Sequence, residues 1–343
     1  MIDLRGELQN IGINPIKELS IQEKAIIVEQ VTEKLMTLNV NGLFYHAILE
    51  KLFESQMYRA KMRASLGKVN YFYKNKTIYF NVDVNINHID ENIMRECIHC
   101  IQDTRRPNEK LKRMGVCTFE EYKVRGMALN EIGINYISNK LFNKVDRNKT
   151  YILLKQILYI TGEDIFYNSL LNSNDKFEEK FMEETNSEVL YHKVENCLDA
   201  MFDLEQIIKR LNSDGKQSKN PERYLSKINM HKHTLSNKFS SIQYEIYNRY
   251  FSRKIELIDE IEEIKKTKEE IFDYNKWLEI GEDEPKYTNF INEKIDKLNK
   301  IEIEILRKNS NNSMIVIKEG LASKIFRTIK KIIFKRKEFE LNK

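Results

Sequence analysis

Ionisable side chains that could do acid–base or metal chemistry gather between residues 90 and 140. In the segment DENIMRECIHCIQD, one face of a predicted helix carries Arg95, Glu96 and His99. The opposite face has the i, i+3, i+4, i+7 spacing of a buried stripe, formed by Met94, Cys97, Ile98 and Ile101. The polar face therefore lines a cleft or faces solvent, and its spacing alone leaves both open.

A second predicted helix, within MALNEIGINYIS, supplies another carboxylate. It places Glu131 on the same face as Asn135 and Ser138. In an HExxH helix, two histidines at i and i+4 bind Zn²⁺, and the glutamate beside the first acts as general base on the metal-bound water. The run from Arg95 to His99 has this spacing, with arginine in place of the first histidine.

At these residues the chain resembles the zincin metallopeptidases of the gluzincin type. In that family a strand, an HExxH helix and a later glutamate-bearing helix form the site. The matching pieces are KTIYFN, RECIHCIQ and ALNEIGINYIS, and the resemblance covers about residues 40–145. It implies that His99 matches the second zinc-binding histidine, Glu131 the glutamate ligand and Glu96 the general base.

Arg95 stands at the first-ligand position, and this departure changes the expected chemistry. A guanidinium is permanently charged and has no lone pair to donate to a metal. Two protein ligands of three would remain, so we expect no cofactor, with zinc only if the site is competent in spite of Arg95. The nearest substitute ligands are His88, Cys97 and Cys100, of which His88 precedes the helix and could fold back.

In a metal-free site with this composition, the charge of Arg95 can offset the charges of the two carboxylates. Two carboxylates gathered in a half-buried cleft are costly without a cation. A guanidinium at position 95 can bridge Glu96 and Glu131. We therefore expect Arg95 to replace the cation and stabilise the fold without metal. The alternative is that Arg95 reaches into solvent.

Local signals predict the elements that must position these residues. Ser20 and Glu23 form a capping box ahead of a helix. Further segments are predicted as a helix over 44–62, a hairpin or bent strand over 70–81, a helix over 91–102 capped by Asp90, a polar loop around 105–107 and a helix over 126–142.

The second half of the sequence is predicted to be helical. The composition of residues 146–150 indicates a domain boundary, and that of residues 213–221 indicates a linker. A long helix over 240–278, a break over 281–285 and a returning helix over 290–306 form a coiled-coil-like hairpin. The predicted class is α+β, with a mostly helical zincin-like domain and small sheet at 1–148, an all-α domain at 149–317 and a basic amphipathic helix at 318–343.

The net charge of +5, from 57 basic and 52 acidic residues, is concentrated at the C-terminus. Residues 318–343 contain nine basic and three acidic side chains, which leaves the body near neutrality. A neutral body excludes a global electrostatic footprint for nucleic acid. We expect no nucleic-acid partner.

The C-terminal segment has an isoleucine-rich stripe beside a basic face. Such a helix can bind an anionic membrane surface or a protein partner, or it can pack its stripe on the body. The residues predicted to bind a membrane or partner are Lys324, Arg327, Lys330, Lys331, Lys335, Arg336 and Lys337.

Neither a signal peptide nor a membrane-spanning apolar run is evident, and four cysteines do not predict a disulfide scaffold. These features favour a cytoplasmic protein, with a peripheral membrane location left open.

The favoured function is a catalytically degenerate metallopeptidase-like binding or scaffold module. Two alternatives stay open, an active zinc hydrolase with a rearranged ligand set, and an interaction protein that acts through its hairpin and basic tail.

Overall fold

A computed structural model of the protein describes residues 4–217, 220–276 and 289–309. Within these residues the strands lie between Ile13 and Arg125, and the chain beyond them is helical. The predicted α+β class is confirmed, and the described part of the C-terminal half is helical. The described chain divides into two compact units, the first reaching Tyr250 and the second beginning at Phe251.

The first sheet is built from four strands of the N-terminal segment. They are β1 (Ile13–Glu18), β2 (Gln56–Met62), β3 (Val69–Phe72) and β4 (Thr77–Asn81), in the order β1-β2-β4-β3. The pair β2 and β4 is parallel and the other two pairs are antiparallel. The predicted hairpin over 70–81 is confirmed, with Tyr71 opposite Ile78, and β3 lies at the edge of the sheet.

Three helices accompany this sheet. They are α1 (Leu4–Ile11), α2 (Ile21–Met36) and α3 (Tyr45–Glu54). The predicted capping box is confirmed, because the Glu23 amide donates to Ser20 Oγ at 3.2 Å and the Ser20 amide donates to Glu23 Oε2 at 2.9 Å. It supplies partners to two amides at the start of α2 that have none within the helix.

The predicted helix over 44–62 is wrong in its second half. The helix ends before Ser55, whose backbone is extended (φ −69°, ψ 148°). The following residues form β2, which pairs with β1 on one side and β4 on the other. Gln, Met, Arg, Ala and Lys dominate this strand and favour helix locally, but pairing with two neighbours overrides that preference.

Two helices and a second small sheet follow. The helices are α4 (Glu91–Gln102) and α5 (Met127–Leu141), both close to their predicted positions. Between them lie β5 (Asp103–Arg105), β6 (Leu111–Met114), β7 (Cys117–Phe119) and β8 (Val124–Arg125), paired antiparallel in sequence order. The predicted polar loop around 105–107 is thus a turn of this sheet.

Five more helices begin in the first unit. They are α6 (Lys149–Thr161), α7 (Glu163–Asn172), α8 (Lys176–Thr185), α9 (Glu188–Gln217) and α10 (Pro221–Glu256). Since α5 packs against α6, α7 and α9, the predicted boundary at 148–149 lies inside this unit. The division into three domains stays a prediction, and the segment 318–343 lies outside the described residues.

The second unit contains α11 (Ile261–Lys276) and the helical residues 289–309. Lys268 Nζ lies 2.8 Å from Glu302 Oε2, so the two helices are neighbours. The predicted continuous helix over 240–278 is wrong, because residues 257–260 interrupt it and Leu257 is 61% exposed. None of the helices in the described ranges is long and apolar enough to cross a bilayer.

Candidate functional site

Helix α4 presents three predicted site residues on one face. Asp90 caps its start by accepting hydrogen bonds from the amides of Asn92 (3.0 Å) and Ile93 (2.9 Å). The predicted stripe is buried and holds the helix in the core, as shown by Met94, Cys97, Ile98 and Ile101. The other side of the helix therefore carries the site residues, Arg95, Glu96 and His99.

Helix α5 brings Glu131 towards α4. It begins after Gly126, whose φ of 71° lies in the left-handed region that glycine adopts without steric cost. The second residue of the helix, Ala128, donates its amide to Asp199 Oδ1 of α9 at 3.0 Å. A side chain from a distant helix thus supplies the cap that residue 126 lacks, and Glu131 follows one turn later.

Buried polar side chains fix the register of α4 against α5. Asn130 Nδ2 donates to Gln102 Oε1 at 3.1 Å, and Asn130 Oδ1 accepts from the Val116 amide at 3.2 Å. At the other end, Ser138 Oγ donates to the Glu91 carbonyl at 3.4 Å. The sequence analysis did not identify Asn130 and Gln102. In each predicted helix, a polar residue next to apolar residues was the feature that could have indicated a buried hydrogen bond.

The four predicted residues meet where α4 faces α5, and we call them the Glu131 cluster. His99 Nε2 lies 3.3 Å from Glu131 Oε1, and Arg95 Nη2 lies 3.6 Å from Glu131 Oε2. Glu96 Oε2 instead accepts the backbone amide of Tyr71 in β3 at 2.7 Å. Arg95 therefore reaches one of the two carboxylates at ion-pair distance, and a backbone donor holds the other.

Burial and the two carboxylates shift the pKa values of the cluster in different directions. Burial raises the pKa of Glu96, against the lowering effects of His99 and of the Tyr71 amide. Burial would also raise the pKa of Glu131, but contact with His99 and the charge of Arg95 outweigh it and lower that pKa. For His99, burial alone would lower the pKa, and the carboxylates of Glu131 and Glu96 raise it.

Two nitrogen atoms of the cluster have unused hydrogen-bonding capacity. His99 Nδ1 and Arg95 Nε are buried and have no hydrogen-bond partner among the described residues. A buried polar atom without a partner carries a desolvation penalty. Arg95 thus contributes an ion pair on one side and an unpaired nitrogen on the other.

The residues of the cluster do not fit a zinc ion. Arg95 cannot donate a lone pair, and Glu131 is already in contact with both His99 and Arg95. Burial raises the pKa of Cys97 well above its ordinary value and that of Cys100 to about 11, which disfavours the thiolate form that binds metal. His88 is exposed. In the described ranges, no group of three or more His, Cys, Asp or Glu is arranged to hold a metal.

The predicted membrane- or partner-binding residues of the basic tail, Lys324 to Lys337, lie outside the described residues.

Comparison of the chain with models of protein families, with curated proteins and with solved structures gave no match. The resemblance to gluzincins therefore rests on the motif residues, and membership of that family stays a prediction.

Proposed function

We propose that the chain is a metal-free, zincin-like pseudoenzyme that acts as a binding or scaffold module. One observation carries the proposal, the contact of Arg95 Nη2 with Glu131 Oε2 at 3.6 Å beside His99 at 3.3 Å. In this proposal, the guanidinium of Arg95 replaces the zinc ion that a zincin would hold beside Glu131. Glu131 then stabilises the packing of α4 against α5 instead of binding metal.

The rival proposal, an active zinc hydrolase with a rearranged ligand set, needs a third ligand. Cys97 and Cys100 are buried thiols on α4, and His88 is exposed in the segment before it. A structural zinc site has four protein ligands, and a catalytic site has three. His99 and Glu131 alone give two, which favours the metal-free proposal.

Zinc content tests the proposal directly. The purified protein is dialysed against zinc and then against metal-free buffer, and bound zinc is measured by competition with a chromophoric chelator. We expect far less than one zinc ion per chain. The Arg95→His variant puts an imidazole at the i position of the i, i+4 pair with His99, and we expect it to bind one zinc ion per chain.

Two control variants separate the possible results. Arg95→Gln removes the cation without adding a ligand and should not bind zinc, and adding Glu131→Gln to Arg95→His should weaken zinc binding strongly. Stoichiometric zinc in the unmodified protein would contradict the metal-free proposal. Failure of a folded Arg95→His variant to bind zinc would contradict the zincin-like geometry.

A further inference from the structure

A cavity of about 1380 Å³ lies within the first unit, bordered by α5, α6, α9 and α10 and by the start of α4. Seven basic side chains line it against three acidic ones. Two of these acids have partners already, since Glu91 pairs with Lys144 and Glu205 accepts hydrogen bonds from the amide (3.1 Å) and hydroxyl (2.7 Å) of Thr150. The cavity therefore has a net positive charge, in a body whose sequence is close to neutral.

Four basic side chains of this lining have no acidic partner among the described residues. Arg147 comes from the segment between α5 and α6, Lys209 and Lys216 from α9, and Lys232 from α10. All four are exposed, and they approach the cavity from three separate elements. Cations gathered around a concave surface focus the electrostatic potential and attract an anion.

The inner wall adds groups suited to a polar ligand. Lys149 Nζ donates to Ser236 Oγ at 2.6 Å, which holds the ammonium group in place. Arg95 also lines the cavity, and its buried Nε has no hydrogen-bond partner among the described residues. Ile132 and Leu235, both buried, provide an apolar part of the same wall.

We propose that this cavity binds a small molecule that carries two or more phosphate groups. Several cations around one cavity match a compact ligand with high charge density. Lysine binds phosphate as a point charge and arginine binds it with paired hydrogen bonds. The volume exceeds the range of about 300–1000 Å³ that is usual for small-molecule sites, so a nucleotide or a polyphosphate fits.

Two other anionic ligands suit the geometry less well. An acidic peptide spreads single charges along an extended chain, which calls for a long groove rather than cations gathered around one cavity. A nucleic acid calls for basic residues along a face, and the body of this chain has no such excess of charge. The cavity therefore favours the small polyphosphorylated ligand.

The inference goes beyond the proposed function, because zinc binding and phosphate binding are separate measurements and either can fail alone. The full chain is titrated with inorganic tripolyphosphate and with ATP by isothermal titration calorimetry at low ionic strength, where screening is weak. We expect at least one of the two to bind with a stoichiometry of one. The stronger binder identifies the source as an inorganic polyphosphate or a nucleotide.

A charge-matched pair of variants links binding to the cavity. Lys209→Gln with Lys232→Gln removes two cations of the lining and should weaken binding at least about tenfold, since hydrogen bonds to charged groups are among the strongest. Lys265→Gln with Lys266→Gln removes two exposed lysines from α11 in the second unit and should leave binding unchanged. Circular dichroism and thermal unfolding check that both variants fold.

Three results would overturn the inference. The first is no binding of either probe at millimolar concentration. The second is an equal loss of affinity in the cavity variant and the α11 variant. The third is tighter binding of a polyglutamate peptide or a single-stranded oligonucleotide than of either phosphate probe.

Discussion

Removal of the Arg95 charge is the perturbation that most directly tests the account of the Glu131 cluster. Arg95→Gln keeps a long polar side chain on α4 and eliminates the cation at 3.6 Å from Glu131 Oε2. A second variant, Arg95→Lys, retains the charge and serves as the matched control. Glu131→Gln, alone and combined with each, completes a double-mutant cycle that isolates the Arg95–Glu131 interaction from the neighbouring His99 contact.

The expected coupling energy between Arg95 and Glu131 follows from the distance between their charges and from the exposure of their side chains. Two unit charges 3.6 Å apart attract by about 4–5 kcal/mol at an effective dielectric constant of about 20. The side chains of Arg95 and Glu131 are 34% and 26% exposed, so solvent screens part of this attraction. Exposed pairs contribute about 0–1 kcal/mol, and breaking a buried pair costs about 3–5 kcal/mol. We therefore expect a coupling energy of about 1–2 kcal/mol.

The assay uses a cysteine that lies beside the cluster. Cys97 is fully buried on α4, and burial raises its pKa, so a thiol reagent reacts with it only when α4 opens. Labelling of Cys97 near pH 8 is followed by mass spectrometry of its peptide, in which Cys100 is resolved separately. A loss of about 1–2 kcal/mol in the free energy of opening corresponds to labelling about 5 to 30 times faster.

Two outcomes would refute this reasoning. If the coupling energy is below about 0.3 kcal/mol, the Arg95–Glu131 contact does not stabilise the cluster. If Arg95→Lys accelerates labelling as much as Arg95→Gln, Arg95 acts through packing of its side chain rather than through charge. Both outcomes would also weaken the proposed role of Arg95 as a replacement for a metal cation.

Three further predictions concern the same unit. The pKa of His99 is raised in the folded chain, so its contribution to stability is complete below the unfolded pKa of about 6.5 and falls as pH rises through the folded pKa. His99→Gln should therefore flatten the decline of the unfolding free energy as pH rises above about 6.5, and an unchanged slope would exclude this role. Glu96→Gln keeps an oxygen acceptor for the Tyr71 amide and removes a costly buried charge, so urea denaturation should show equal or higher stability. Glu96→Leu removes the acceptor and should lose about 1–3 kcal/mol of unfolding free energy. A Leu variant more stable than the Gln variant would contradict the burial argument. Gly133→Ala adds a methyl carbon 2.6 Å from Phe166 Cζ, and this clash should cost about 1–3 kcal/mol in spite of the helix preference of alanine, so a rise in Tm would contradict it.

The elements that local sequence specifies were predictable. Asp90 and the apolar stripe define α4 within a dozen residues, and the turn at residues 73–76 defines the hairpin of β3 and β4. In contrast, β2 depends on pairing with segments distant in sequence, whereas the strands of the second sheet pair with their neighbours along the chain. Strands of two to four residues, such as β8 (Val124–Arg125), are too short for a periodic pattern.

The sequence predicts which residues form the site, but it does not predict which atoms they contact. Helical spacing and polarity identify Arg95, His99 and Glu131, since each lies on the polar side of an amphipathic helix. The partner of Glu96 is a backbone amide, that of Tyr71, which leaves no trace in residue type. The lysines and the two arginines that line the cavity are separate in sequence, and the packing of the helices brings them together.

The hydrogen bond from the Tyr71 amide to Glu96 also affects how the first sheet meets other chains. Because β3 lies at the edge of that sheet, its outward amides would otherwise be available to pair with a strand from another molecule. The Glu96 carboxylate takes one of them, and α4 packs against the strand. A peptide adding to this edge would have to displace a side chain from the cluster, so the residue that matches a general base in the resemblance also protects the edge from unwanted strand addition and aggregation.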